Sequence, residues 1–198
     1  MPMKARNNPF RTERVLTVRY RLLDGTWDVL MERLAARDYR AAVVGPDGSG
    51  KTTLLEDLEP RLAECGFGTK WLRLCDERRT FPRGALARFF DELGRGDVIL
   101  FDGADLMGRL AWSRFRRRAR AAAGLVITSH RPGRMPTLIE CRTTPELLED
   151  IVVHILGDGA GLGELPHRLF EKHRGNLRDA LRELYDMYSA TAPATDTS

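Results

Sequence analysis

No apolar run in these 198 residues approaches the roughly 20 needed to cross a bilayer. The start, MPMKARNNPFRTERV, carries no apolar stretch of the signal-peptide kind, so the cytoplasm is the expected location. Only three cysteines occur, Cys65, Cys75 and Cys141, with neither a C-x-x-C pair nor metal-ligand spacing. They read as free, mostly buried thiols. The four histidines are scattered, which argues against a histidine-built metal site. The N-K-x-D signature of guanine recognition is missing, and there is no internal repeat. Lysine is scarce beside arginine, 4 against 28, a bias that genome composition explains as readily as function.

What is present begins with GPDGSGKTT, residues 45–53. It fits G-x-x-x-x-G-K-[ST] from Gly45 to Thr52. The β-prone run RAAVV precedes it, and TLLEDLEPRLAECG follows with Leu54, Leu55, Leu58 and Leu62 at helical spacing. Strand, glycine loop and helix therefore stand in the order that phosphate binding requires. Glycines let the backbone turn tightly and present its N–H groups, and the helix start adds its own unpaired donors. The expected nucleotide-binding set is Gly45, Pro46, Asp47, Gly48, Ser49, Gly50, Lys51, Thr52 and Thr53. Lys51 suits the β and γ phosphates, and the Thr52 hydroxyl suits Mg²⁺.

Apolar strands alternate with helical stretches along the first three quarters of the chain. Strands are expected near 40–45, 69–74, 98–102, 125–129 and 137–141. Helices are expected from Lys51 to about Cys65, across PRGALARFFDELGRG, and from 106 to 123. A further helix, TWDVLMERLAARD, leads into the first strand with Trp27, Leu30, Met31 and Leu34 on one face. This alternation predicts an α/β fold with a parallel sheet covered on both faces. After Thr144 three helices follow with no strand between them. The expected organisation is a flexible arm at 1–14, an α/β core at 15–144, a small helical lid at 145–189 and a disordered tail at 190–198.

A phosphate-binding loop of this kind works with an acidic residue at the end of a neighbouring strand. VILFDGAD offers Asp102 after four apolar residues, placed to act on Mg²⁺ through water. Many ATPases put a glutamate directly after that aspartate, whereas here the position is Gly103. The next acidic group is Asp105, which either orients the attacking water or caps a helix starting at Leu106. At the end of the fourth strand, Thr128, Ser129 and His130 are candidates for sensing phosphate or positioning water.

GPDGSGKTT, VILFDGAD and LVITSH, in that order, resemble the core of the ASCE division of P-loop ATPases, which includes the AAA+ and STAND proteins. The resemblance implies a five-stranded parallel sheet of order 5-1-4-3-2, ATP as nucleotide and Mg²⁺ as its ion. DGAD is similar to the D-G-x-D of STAND-like proteins. It implies Asp102 as the Mg²⁺ ligand beside Thr52, and Asp105 as the second acidic position. GNLRDAL resembles the arginine-bearing lid motif of AAA+ proteins, which implies Arg178 as a sensor arginine and Ser129 near the first sensor position. NPFRTERV, HRPGRMPTL and GNLRDALRELYDMY also resemble a group of planctomycete-type P-loop proteins. The implied catalytic set is Lys51, Asp102, Asp105, Ser129 and Arg178.

The functional expectation is Mg²⁺-dependent ATP binding with slow or partner-stimulated hydrolysis, as a switch or motor-type subunit. Two alternatives stay open. The glycine loop is also similar to that of thymidylate kinases, and Asp76, Glu77, Arg78, Arg131 and Arg134 offer groups for a phosphate acceptor. The other alternative is nucleotide binding without useful turnover. From Arg109 to Arg134 there are eight arginines and no acidic residue. The densest part, Arg109–Arg120, reads as a non-specific nucleic-acid surface, as a contact for a protein partner, or as a solvated helix face. Self-association is a further expectation; a membrane partner is not.

Overall fold

The computed structural model describes residues 9–10, 20–23, 25–157 and 163–191. The expected arm at 1–14 and most of the expected tail at 190–198 lie outside the described residues. By its internal contacts the chain divides into two compact units. One comprises Tyr20–Gly45 and Lys51–Cys141; the other includes Pro46–Gly50 and the described residues from Arg142 onward.

The first unit holds a five-stranded sheet. Its strands are β1 (Arg40–Val44), β2 (Gly68–Arg73), β3 (Asp97–Asp102), β4 (Gly124–Ser129) and β5 (Thr137–Glu140). All pairings are parallel, in the order β2-β3-β4-β1-β5, which is the expected 5-1-4-3-2 read from the other edge. The central strands are apolar except at their ends because helices cover both faces. Side chains alternate across the sheet. Val98 and Leu100 of β3 pack with Leu54, Leu55, Leu58 and Leu62 of helix α2 (Lys51–Glu64) on one face. Ile99 and Phe101 pack on the other face with Trp112 and Phe115 of a helix that follows β3.

Helix α1 (Trp27–Ala35) precedes β1, and the Thr26 hydroxyl caps its start by accepting from the Val29 N–H at 3.3 Å. Helix α3 (Ala85–Asp91) is shorter than the stretch from Pro82 to Gly94 suggested. Gly84 takes a left-handed φ of 79°, so the helix begins only after it. The helix expected over 106–123 is also divided. A 3-10 turn at Ala104–Leu106 is followed by α4 (Arg109–Arg118) and a second 3-10 turn at Ala119–Ala121. Extended backbone at Gly108 separates the first two. Beyond α4 the Arg40 guanidinium donates to the carbonyls of Ala119 at 3.3 Å and Ala122 at 2.6 Å, a long-range contact that fixes where the helix stops.

The thiols correct another expectation. Cys141 is buried, but Cys65 and Cys75 are exposed. They stand just after α2 and just after β2, where the chain leaves the core.

In the second unit, α5 (Pro145–Leu156), α6 (Leu165–Lys172) and α7 (Leu177–Thr191) share a core built on Leu148, Val152, Leu169, Ala180 and Leu184. Phe10 joins it, edge-on to Tyr188 with ring centroids 5.1 Å apart. Asn176 caps α7 reciprocally with Asp179: its Oδ1 accepts from the Asp179 N–H at 3.2 Å, and its Nδ2 donates to the Asp179 carboxylate at 2.7 Å. Among the described residues no helix is long and apolar enough to cross a membrane.

Leu58, wholly buried at the middle of α2, tests the sheet-helix core. Leu58→Ala is expected to cost about 2–5 kcal/mol through lost burial and a residual cavity. Urea unfolding should show this as a lower midpoint with an unchanged slope.

Candidate functional site

β3 delivers Asp102 to the end of the sheet where the parallel strands terminate, and three side chains meet its carboxylate. The Thr52 hydroxyl, on the first turn of α2, donates to Oδ2 at 2.9 Å. The Thr128 hydroxyl, from β4, donates to Oδ1 at 2.7 Å and accepts from the Gly103 N–H at 2.7 Å. Arg73 ends β2 in register with Asp102 and places its Nε 3.5 Å from Oδ2. The same guanidinium reaches Glu56 of α2 at 3.2 Å. Exposure of the Arg73 side chain, 54%, makes this ion pair a weak orienting contact rather than a clamp. The hydroxyl pair is the firmer constraint. It ties α2, β3 and β4 together at one carboxylate.

Lys51 opens α2 and donates from Nζ to the Gly45 carbonyl at 2.8 Å. Gly45 is itself held to the sheet, its N–H donating to the Ser129 carbonyl at 3.1 Å. The oxygen donors of Thr52 and Asp102 suit a small hard cation. Among the described residues no cluster of three or more His, Cys, Asp or Glu side chains surrounds such a position. The two oxygens of Thr52 and Asp102 are a donor set that fits Mg²⁺, which takes one or two protein oxygens and completes its shell with water and phosphate.

Gly103 stands directly after Asp102. Its φ is +79°, and a Cβ there would lie 2.3 Å from the Leu74 carbonyl oxygen. The backbone of the β2 end therefore excludes any side chain directly after Asp102. The next acidic residue, Asp105, lies in the 3-10 turn. It caps no helix, because α4 begins at Arg109 behind Gly108. Instead its Oδ2 accepts from the His130 N–H at 3.0 Å and stands 2.5 Å from His130 Nδ1. Its Oδ1 is buried with no hydrogen-bond partner among the described residues.

Burial pushes the Asp105 carboxyl up, but the backbone and ring contacts of His130 outweigh it and hold the group below its ordinary value. A depressed carboxyl contributes stability that is present above its unfolded pKa, about 3.9, and lost as pH falls through the folded value. Asp105 is thus a carboxylate at neutral pH.

The two candidates on β4 divide. Thr128 touches Asp102, whereas the Ser129 hydroxyl, also buried, donates to the Arg131 carbonyl at 2.7 Å. Arg134, from the same loop, donates to the carbonyls of Asp105 at 2.9 Å and Met107 at 2.7 Å, so it braces the 3-10 turn. Asp76 pairs with Arg79 on an exposed turn.

In the other unit, Pro46–Gly50 lies against the start of α7. Gly48 has φ +70°, and a Cβ there would fall 1.8 Å from Asn176 Oδ1 and 3.1 Å from the Arg178 backbone nitrogen. Ser49 closes the loop on itself, donating from its hydroxyl to the Pro46 carbonyl at 2.8 Å. Arg178 is the second residue of α7.

Arg73, the bracing role of Arg134, which the sequence offered only as a group for a phosphate acceptor, and the approach of Asn176 to Gly48 had no sequence signal. Each depends on a pairing distant in the chain; only strand adjacency sets Arg73 beside Asp102.

No family model matches the chain. No curated protein matches it either. Among solved structures, a lysine-to-arginine mutant of Thermotoga maritima RuvB is similar, with 18% identity, a TM-score of 0.52 and coverage of 80% of this chain. This chain spans 61% of the length of that one. At that identity the likeness is one of fold.

Gly103→Ala places a β-carbon in left-handed backbone and against the Leu74 carbonyl. It should lower stability by at least about 1–3 kcal/mol. Thermal unfolding measures this, and an unchanged Tm would show that the β2 end yields to the methyl group.

Proposed function

We propose that this chain binds ATP with Mg²⁺ through Gly45–Thr53 and hydrolyses it slowly, as a switch or motor-type subunit. The observation that carries this reading is the Asp102 carboxylate, held by Thr52 on one side and Thr128 on the other. A phosphate loop alone would favour nucleotide binding in general. A carboxylate fixed to the loop's own threonine favours an ATPase arrangement, and the fold likeness supports the same class.

In this reading the loop N–H groups and Lys51 bind the phosphates, with Lys51 moving from the Gly45 carbonyl onto the β and γ oxygens. Thr52 and Asp102 hold Mg²⁺, which neutralises phosphate charge when bound. Asp105 fixes the His130 ring by its Nδ1–H, which makes Nε2 the basic nitrogen and suits it to hold or accept a proton from water. The two act as one unit in place of the absent glutamate. Arg178, on the helix whose start packs against Gly48, supplies positive charge toward phosphate held by the loop. Ser129 acts by shaping the turn into His130 and Arg131. Turnover responds to self-association or to a partner.

Lys51→Ala removes a charge-assisted donor and should weaken ATP binding about 10–100-fold. Calorimetry with Mg²⁺ and ATP reads this directly, and equal affinity would contradict the loop assignment.

Asp105→Asn and His130→Ala should each keep ATP affinity while lowering phosphate release by roughly 10²-fold. If they work as one unit, the double variant should lose little more than either single one. Additive losses would separate the two residues, and unaltered rates would remove both from the chemistry.

A further inference from the structure

At the opposite end of the sheet from Asp102, the starts of β1 and β4 border an open cavity of about 830 Å³. Among the described residues its wall carries five arginines, Arg37, Arg40, Arg116, Arg120 and Arg134, against one carboxylate, Asp38. They come from four separate places: the turn after α1, β1, the α4 region and the loop before β5. All belong to the sheet-bearing unit.

Three of these guanidiniums are held in place by neutral acceptors. Arg37 donates to the Arg33 carbonyl at 2.8 Å, Arg40 to Ala119 and Ala122, and Arg134 to Asp105 and Met107. Carbonyl oxygens fix orientation but cancel no charge. Burial pushes the Arg40 guanidinium below its ordinary range, with Asp38 opposing and Arg120 adding to the effect. Like charges are therefore crowded here, which costs stability unless an anion offsets it.

The shape indicates which anion. A volume of this size matches sites for small molecules. Among the described residues no aromatic side chain lines the cavity, which gives no face there on which bases would stack. Arginine forks from several directions suit tetrahedral phosphate oxygens. Further along α4, Arg118 is turned elsewhere, over the Phe90 ring at 4.3 Å, so the cavity does not simply continue as an even basic track. We infer that this cavity is a second anion site, which binds a compact ligand carrying two or more linked phosphates through Arg116, Arg120 and the carbonyl-anchored Arg37 and Arg40. The site is separate from the glycine loop and does not depend on its assignment.

Sodium tripolyphosphate is a suitable probe, titrated calorimetrically at fixed ionic strength into the full chain carrying Lys51→Ala, which disables the loop. One saturable equivalent is expected. Adding Arg116→Glu and Arg120→Glu should weaken binding at least tenfold. Adding Arg109→Glu and Arg114→Glu, the same change in net charge outside the cavity, should leave it within about twofold. Arg116→Gln with Arg120→Gln serves if the glutamate pair does not fold, as judged by circular dichroism, and should also lose binding. A single-stranded DNA oligonucleotide is titrated in parallel. Absence of saturable tripolyphosphate binding would overturn the proposal. Equal loss with both glutamate pairs would also overturn it, as would binding of the oligonucleotide but not of tripolyphosphate, which would mark a nucleic-acid surface instead.

Discussion

The carboxylate of Asp102 is the point on which the arrangement of the sheet-bearing unit turns. Thr52 reaches it from the helix after the glycine loop, and Thr128 from the neighbouring strand. Three elements far apart in sequence are thereby registered at one pair of oxygens. This constraint operates through neutral hydroxyl donors, so it leaves the carboxylate its negative charge. It also leaves the group partly open, with 14% of the side chain exposed. A buried and fully paired aspartate would be structural. One aimed by two hydroxyls and still reachable is suited to hold a cation and its water.

The turn after Asp102 shows how backbone geometry redirects chemistry. Left-handed Gly103 passes so close to Leu74 that no side chain fits there. An acidic group can return only after the chain has turned, at Asp105, where the fourth strand's end supplies His130 as its partner. Arg134 then braces that turn from behind through two carbonyls. The nearest acidic group after Asp102 is thus a carboxylate paired with an imidazole, and steric exclusion at Gly103 sets its place.

Much of this frame was legible in the residues. β1, α2, β3 and β4 announce themselves because their apolar patterns are long and continuous, and the glycine loop is bounded by them. Strand order was legible only through likeness to a known core, since periodicity carries no information on which strands are neighbours. What escaped reading depends on tertiary contact. The division of the helix after β3 reflects Gly108 and the hold of Arg40 on distant carbonyls. Thr128 and Ser129 are adjacent polar residues, and only the strand's facing separates the one that meets Asp102 from the one that bonds into the loop. The exposure of Cys65 and Cys75 follows from chain ends of elements, not from the usual preference of thiols for the interior. The arginine cavity is invisible in the chain because β1 pairing with β4 assembles it.

The central claim is that the hydroxyl pair aims Asp102 at a cation bound with the nucleotide. Thr128→Val removes one of those hydroxyls at nearly constant shape, and the quantity to measure is ATP affinity as a function of Mg²⁺ concentration. The expected result is a curve shifted several-fold toward higher Mg²⁺, with affinity in EDTA unchanged from the unsubstituted chain. Superimposable curves for the two proteins would contradict the claim.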